Sequence, residues 1–81
     1  MKVHVKLFAV ARQRAGRDSI EVELPPQATI RQLRGALIEQ FPPLAEVVPH
    51  ARFAVSSDYA ADTAAIPVEA EVAMIPPVSG G

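Results

Sequence analysis

The chain has 81 residues, a formal net charge of −1, a hydrophobic fraction of 49% and no cysteine. That length allows one domain, which buries only about 60–65% of the surface its unfolded chain exposes. The composition excludes disulfide staples, thiolate chemistry, a disordered chain and the strongly basic face of a dedicated nucleic-acid binder.

The first segment, KVHVKLF over residues 2–8, alternates: Val3, Val5 and Leu7 on one side, His4, Lys6 and Phe8 on the other. Such a period-2 pattern predicts a half-buried strand rather than a signal peptide. No apolar run approaches a membrane span, so a cytoplasmic location without membrane contact is expected. Residues 9–15, AVARQRA, predict one or two helical turns stopped by Gly16. Arg12, Arg14 and Arg17 read as a solvated turn. Residues 18–24, DSIEVEL, alternate again, with Ile20, Val22 and Leu24 inward, so the first two strands are expected to form a hairpin.

Pro25-Pro26 ends that strand. Thr29 and Gln32 then have the spacing of a capping box. Ile30, Leu33, Leu37 and Phe41 fall at helical spacing, with Ile38 widening the stripe, until Pro42-Pro43 stops the helix. Residues 44–50 read as a loop or short turn. Residues 52–56, RFAVS, read as a strand with Phe53 and Val55 on one face. Residues 57–69 read as irregular, with a short strand near Ala65-Ile66. Residues 70–75, AEVAMI, read as the last strand, Val72 and Met74 facing one way, Ala73 and Ile75 the other.

One main helix covers only one side of a sheet, so the expected architecture is α+β, a mixed sheet of four to five strands half-covered by that helix. A β-grasp, with the first and last strands as neighbours, fits this order. Residues 1–75 are expected to form the domain and residues 76–81 an extended C-terminal tail.

Few side chains here suit catalysis. His4 and His50 are far apart and lack patterned carboxylates, so no metal site is expected, and no glycine-rich phosphate loop is present. What remains is the tail, PPVSGG. Pro76 and Pro77 stiffen the neck. Val78 and Ser79 continue it, and Gly80 and Gly81, lacking Cβ, fit a narrow tunnel. The terminal carboxylate of Gly81 is ionised in the cell and must be activated, for example as an acyl adenylate, before a nucleophile can take it. If Val3, Val5, Leu7, Val72 and Met74 face the helix, Phe8 and Ile75 lie on the opposite face near the root of the tail. There they are candidates for partner binding.

The stretch EVAMIPPVSGG, Glu71 to Gly81, closely resembles the C-terminal signature of molybdopterin synthase small subunits, ubiquitin-like sulfur carriers with a β-grasp fold. VKLFAVARQRAG (5–16) and ATIRQLRGAL (28–37) resemble the same family. The resemblance implies an ATP-dependent activating enzyme that adenylates the Gly81 carboxylate, and a sulfur donor system that converts it to a thiocarboxylate. It also implies a large synthase subunit that takes up the tail beside a cyclic pyranopterin phosphate, as a heterotetramer with two carriers. This chain then holds no cofactor and no catalytic side chain, and ATP belongs to the activating enzyme. A thiamine-type sulfur carrier and a ubiquitin-like protein modifier are the alternatives. One departure stands out: the family commonly has Gly-Asp before its EVA, where this chain has Glu69 and Ala70, which suggests a different turn.

Overall fold

The computed structural model describes residues 1–77. The elements run β1 (Lys2–Leu7), α1 (Ala9–Ala15), β2 (Ser19–Glu23), α2 (Ile30–Gln40), two 3-10 turns at Pro42–Leu44 and Val48–His50, β3 (Arg52–Val55), β4 (Asp58–Ala60) and β5 (Glu71–Ile75). The five strands form one mixed sheet in the order β2-β1-β5-β3-β4. β1 and β2 are antiparallel, β1 and β5 parallel, and β3 runs antiparallel to both β4 and β5. This is the β-grasp: the first and last strands meet at the centre, with helices on one face.

The alternation read from the sequence becomes the core. Val3, Val5, Leu7, Ile20, Val22, Val72 and Met74 are buried on the helix side, with Phe53 from β3. Against them pack Ile30, Leu33 and Leu37 of α2, together with Leu44 and Val48 from the 3-10 turns. Each such side chain removed from water stabilises the fold by about 1.5–3 kcal/mol before conformational entropy is charged against it. The segment 44–50 is therefore more than a connecting loop, since it supplies core residues.

α2 begins as its capping box requires. The Gln32 N–H donates to Thr29 Oγ1 at 3.3 Å, and Gln32 Oε1 accepts from the Thr29 N–H at 2.9 Å. It ends before Pro42-Pro43, which lack the N–H a continuing helix needs. Ile38 does not widen the buried stripe: it is exposed, and the core gains Leu44 and Val48 from the 3-10 turns. The outer edge of β2 is closed by a side chain. The Gln40 amide accepts from the Glu23 N–H at 3.2 Å and donates to the Glu23 carbonyl at 3.1 Å.

Residues 57–69 differ from the sequence reading. The strand lies at Asp58–Ala60, while Ala65 makes only an isolated bridge to Thr29. β3 and β4 are joined by Ser56 and Ser57, both with positive φ (49° and 75°), as a two-residue hairpin turn requires. Asn-Gly or Asp-Gly normally announces that turn, so Ser-Ser gave no hairpin signal. The expectation of a different turn at Glu69 is also corrected. The Ala70 N–H donates to the Pro67 carbonyl at 3.2 Å, closing a four-residue turn with Glu69 at φ 64°. Positive φ at the third position is what glycine would supply, and Glu69 adopts it despite its Cβ. Glu69→Gly is therefore expected to raise stability by about 0.5–1 kcal/mol, read as a higher urea midpoint with an unchanged m-value.

Candidate functional site

The sheet fixes where the C-terminal segment leaves the domain. β5 is central, paired with β1 through Leu7↔Met74 and with β3 through Arg52↔Ile75. Val72 and Met74 point into the core and are fully buried, so the strand is held on both edges and from one face. Pro76 is buried and Pro77 is exposed. Val78, Ser79, Gly80 and Gly81, expected to continue the tail, lie outside the described residues.

Phe8 and Ile75 stand at the same end of the sheet. Phe8 follows Leu7 and Ile75 follows Met74, and Leu7 and Met74 are partners in the parallel pair. Phe8 is not a strand residue, however. β1 ends at Leu7, and Phe8 is the extended N-cap of α1 (φ −130°, ψ 156°), 47% exposed. It borders a cleft with Lys6, Arg12 and Asp18, and Arg12 Nε lies 2.9 Å from Asp18 Oδ1. Ile75 is half-buried and borders a different cleft, of about 380 Å³, with His50, Arg52, Tyr59, Pro76 and Pro77. The two apolar residues thus flank the root of the neck from two sides.

The second cleft was not legible in the sequence because β4 was not. Tyr59 is 65% exposed and stands beside Ala54 in the β3–β4 register. The Arg52 guanidinium lies over its ring, 5.5 Å from the centroid. Behind the cleft, Arg34 of α2 donates from Nε to Asp62 at 3.0 Å and from Nη1 to the carbonyls of Val48 (2.6 Å) and Ala51 (2.8 Å). Its guanidinium also sits 4.9 Å from the centre of the Phe53 ring. Those two carbonyls bracket His50, so Arg34 positions the segment that leads into Arg52.

Along β1 and β2 the open face is polar, with Lys2 and His4 near Glu21 (3.9 and 4.0 Å) and Lys6 at 3.2 Å from Glu71. Exposed pairs of this kind contribute little to stability. Among the described residues no group of three or more His, Asp or Glu side chains could hold a metal ion, and no helix is long and apolar enough to cross a membrane.

A β-grasp with its first and last strands paired at the centre of the sheet is the architecture of ubiquitin-like proteins. The chain belongs to the ThiS family, whose model matches residues 5–81. It is 33% identical to the molybdopterin synthase sulfur carrier subunit of Arabidopsis thaliana over 81 residues, covering all of this chain and 84% of that protein. Among solved structures, SAMP1 from Haloferax volcanii is 29% identical, with a TM-score of 0.85 over 100% of both chains. The putative molybdopterin converting factor subunit 1 from Pyrococcus furiosus is 30% identical, with a TM-score of 0.82 over 96% of this chain and 99% of that one. At 17% identity, with all of both chains covered and a TM-score of 0.69, the fold also recurs in the complex of subunits 1 and 2 of the Helicobacter pylori molybdopterin-converting factor.

Because β5 holds the neck through buried side chains, its loss should be structural first. Met74→Ala is expected to cost about 2–5 kcal/mol, measured by equilibrium unfolding, whereas exposed Phe8→Ala should cost well under 1 kcal/mol.

Proposed function

We propose that this chain is the sulfur carrier subunit of a molybdopterin synthase and acts in the cytoplasm. The observation that carries the reading is the neck: a centrally anchored strand running into Pro76-Pro77, in a chain of the ThiS family matched through residue 81. The work divides accordingly. The domain supplies a rigid base and a docking face, and Gly81 carries the cargo on its terminal carboxyl group.

In this reading an activating enzyme joins the Gly81 carboxylate to AMP, releasing pyrophosphate. Sulfur from a donor system displaces AMP and leaves a thiocarboxylate. The large synthase subunit then accepts the tail, and the sulfur passes to a cyclic pyranopterin phosphate to build the dithiolene. Two carriers and two large subunits form the working heterotetramer. Pro76 and Pro77 keep the tail from folding back, since each fixes φ and removes a backbone donor. Phe8 and Ile75, on either side of the root, supply apolar contact for the large subunit.

Incubation of the full chain with activating enzyme, ATP and a sulfur donor is expected to replace one oxygen by sulfur at the C-terminus, detected by intact mass. An unchanged mass under conditions that charge a known carrier would overturn the reading. Deleting Gly80 and Gly81 should abolish sulfur transfer and shift the melting temperature by no more than a degree or so, because the domain core is untouched. Phe8→Ala should weaken binding to the large subunit by about tenfold in a calorimetric titration. Wild-type affinity would remove Phe8 from the interface.

The similarity to Haloferax SAMP1 favours a second reading, in which Gly81 becomes joined to lysines of other proteins. Isopeptide-linked remnants of this tail in digests of cell protein would support it. The family's name leaves a thiamine-type carrier as a third. Rescue of a molybdoenzyme-deficient strain, without rescue of a thiamine auxotroph, separates the two carriers.

A further inference from the structure

The cleft at the root of the neck has a chemistry that the proposed function does not yet use. Its lining is two cationic or hydrogen-bond-donating side chains, His50 and Arg52, one exposed aromatic, Tyr59, and the apolar wall of Ile75, Pro76 and Pro77. Among the described residues its lining includes no carboxylate. The ion pairs among the described residues join the N-terminus, Lys2, His4, Lys6, Arg12 and Arg34 to acidic side chains; Arg52, like Arg14, Arg17 and Arg31, is in none of them, and it alone of these four lines this cleft. Arg52 is exposed, and its guanidinium carbon lies 5.5 Å from the centre of the Tyr59 ring, within cation–π reach. That contact holds the guanidinium beside the cleft and leaves its N–H groups open to a partner. Planar, bidentate recognition by arginine suits a carboxylate.

We propose that this cleft docks an aspartate or glutamate side chain of the activating enzyme, with Arg52 as the principal contact and His50 as a second donor. The inference rests on the carrier reading, but not on which pathway is served, because activation of the tail is common to all three readings above. Position argues for it. Ile75 is paired with Arg52, and Pro76 and Pro77 form one wall of the cleft, so a partner that grips the neck at these two prolines also meets Arg52. An ion pair there fixes the angle at which the neck enters. Tyr59 and Arg52 are also the residue types that most often dominate interface energetics.

The experiment uses the full chain and its activating enzyme, with ATP–pyrophosphate exchange as the readout and carrier concentration as the variable. Arg52→Glu is expected to raise the KM for the carrier by about tenfold or more with kcat nearly unchanged, and Arg52→Gln by a smaller factor. Tyr59→Ala should raise KM in the same direction by loosening Arg52. Melting temperatures of all three should stay near wild type, since the residues lie on the open face. Restoration of KM for Arg52→Glu by an Asp→Arg or Glu→Arg change in the activating enzyme would fix the partner group. Wild-type KM for Arg52→Glu would overturn the proposal, as would a defect seen only in transfer to the large subunit. If the wild-type chain supports no exchange at all, the carrier reading fails instead.

Discussion

The parallel pairing of β1 with β5 is the contact on which the rest of the molecule depends. Two parallel strands cannot be joined by a hairpin, so the chain between β1 and β5 needs a crossover, which α2 and the two 3-10 turns make over one face of the sheet on the way from β2 to β3. That crossover supplies one side of the core, through Ile30, Leu33, Leu37, Leu44 and Val48. The pairing also places the neck at the sheet's centre, with β3 on its other side. A segment leaving from an edge strand would move with that edge. One leaving from here is held by Val72 and Met74 in the core and by ladders on both sides.

Around that anchor the surface divides by element. The β1–β2 half of the open face carries alternating Lys, His and Glu, a solvated pattern with little energetic weight. On the β5–β3–β4 half, Glu71 at the start of β5 is paired with Lys6, and toward the neck the face carries Ala73, Ile75, Ala54, Arg52 and Tyr59. Phe8, on the far side of β5, adds an exposed aromatic at the start of α1. Apolar and cationic groups thus gather where the neck departs, while the rest of the open face is polar. This asymmetry fits a domain that meets its partners end-on.

Much of this was readable before any coordinates. Alternation gave β1, β2 and β5 with the correct inward faces, and Thr29, Gln32 and the Ile30–Leu33–Leu37 spacing gave α2 and its first turn. These are signals in which side-chain chemistry alone sets the local structure. What escaped depends on backbone conformations that side chains do not announce. Ser56-Ser57 and Glu69 take positive φ without glycine, so β4 and the Pro67–Ala70 turn were hidden or misread. Ile38 matched the helical stripe but lies on the exposed side of α2, while Leu44 and Val48, outside any helical pattern, are buried. The candidate site divided the same way. Parity placed Ile75 on the open face, but it treated Phe8 as a strand residue when it caps α1, and Arg52 and Tyr59 become neighbours only through a hairpin that the sequence conceals.

The clip between Gln40 and Glu23 bears on how such a molecule behaves in a crowd. A five-stranded sheet has two open margins, each a template for another chain's backbone. Here one margin is a strand of three residues, too short to recruit much, and the other has a donor and an acceptor of Glu23 already occupied by a glutamine amide. Growth of the sheet by copies of itself is thereby discouraged at both sides. The open face and the root of the neck are left more accessible to other chains than either margin of the sheet.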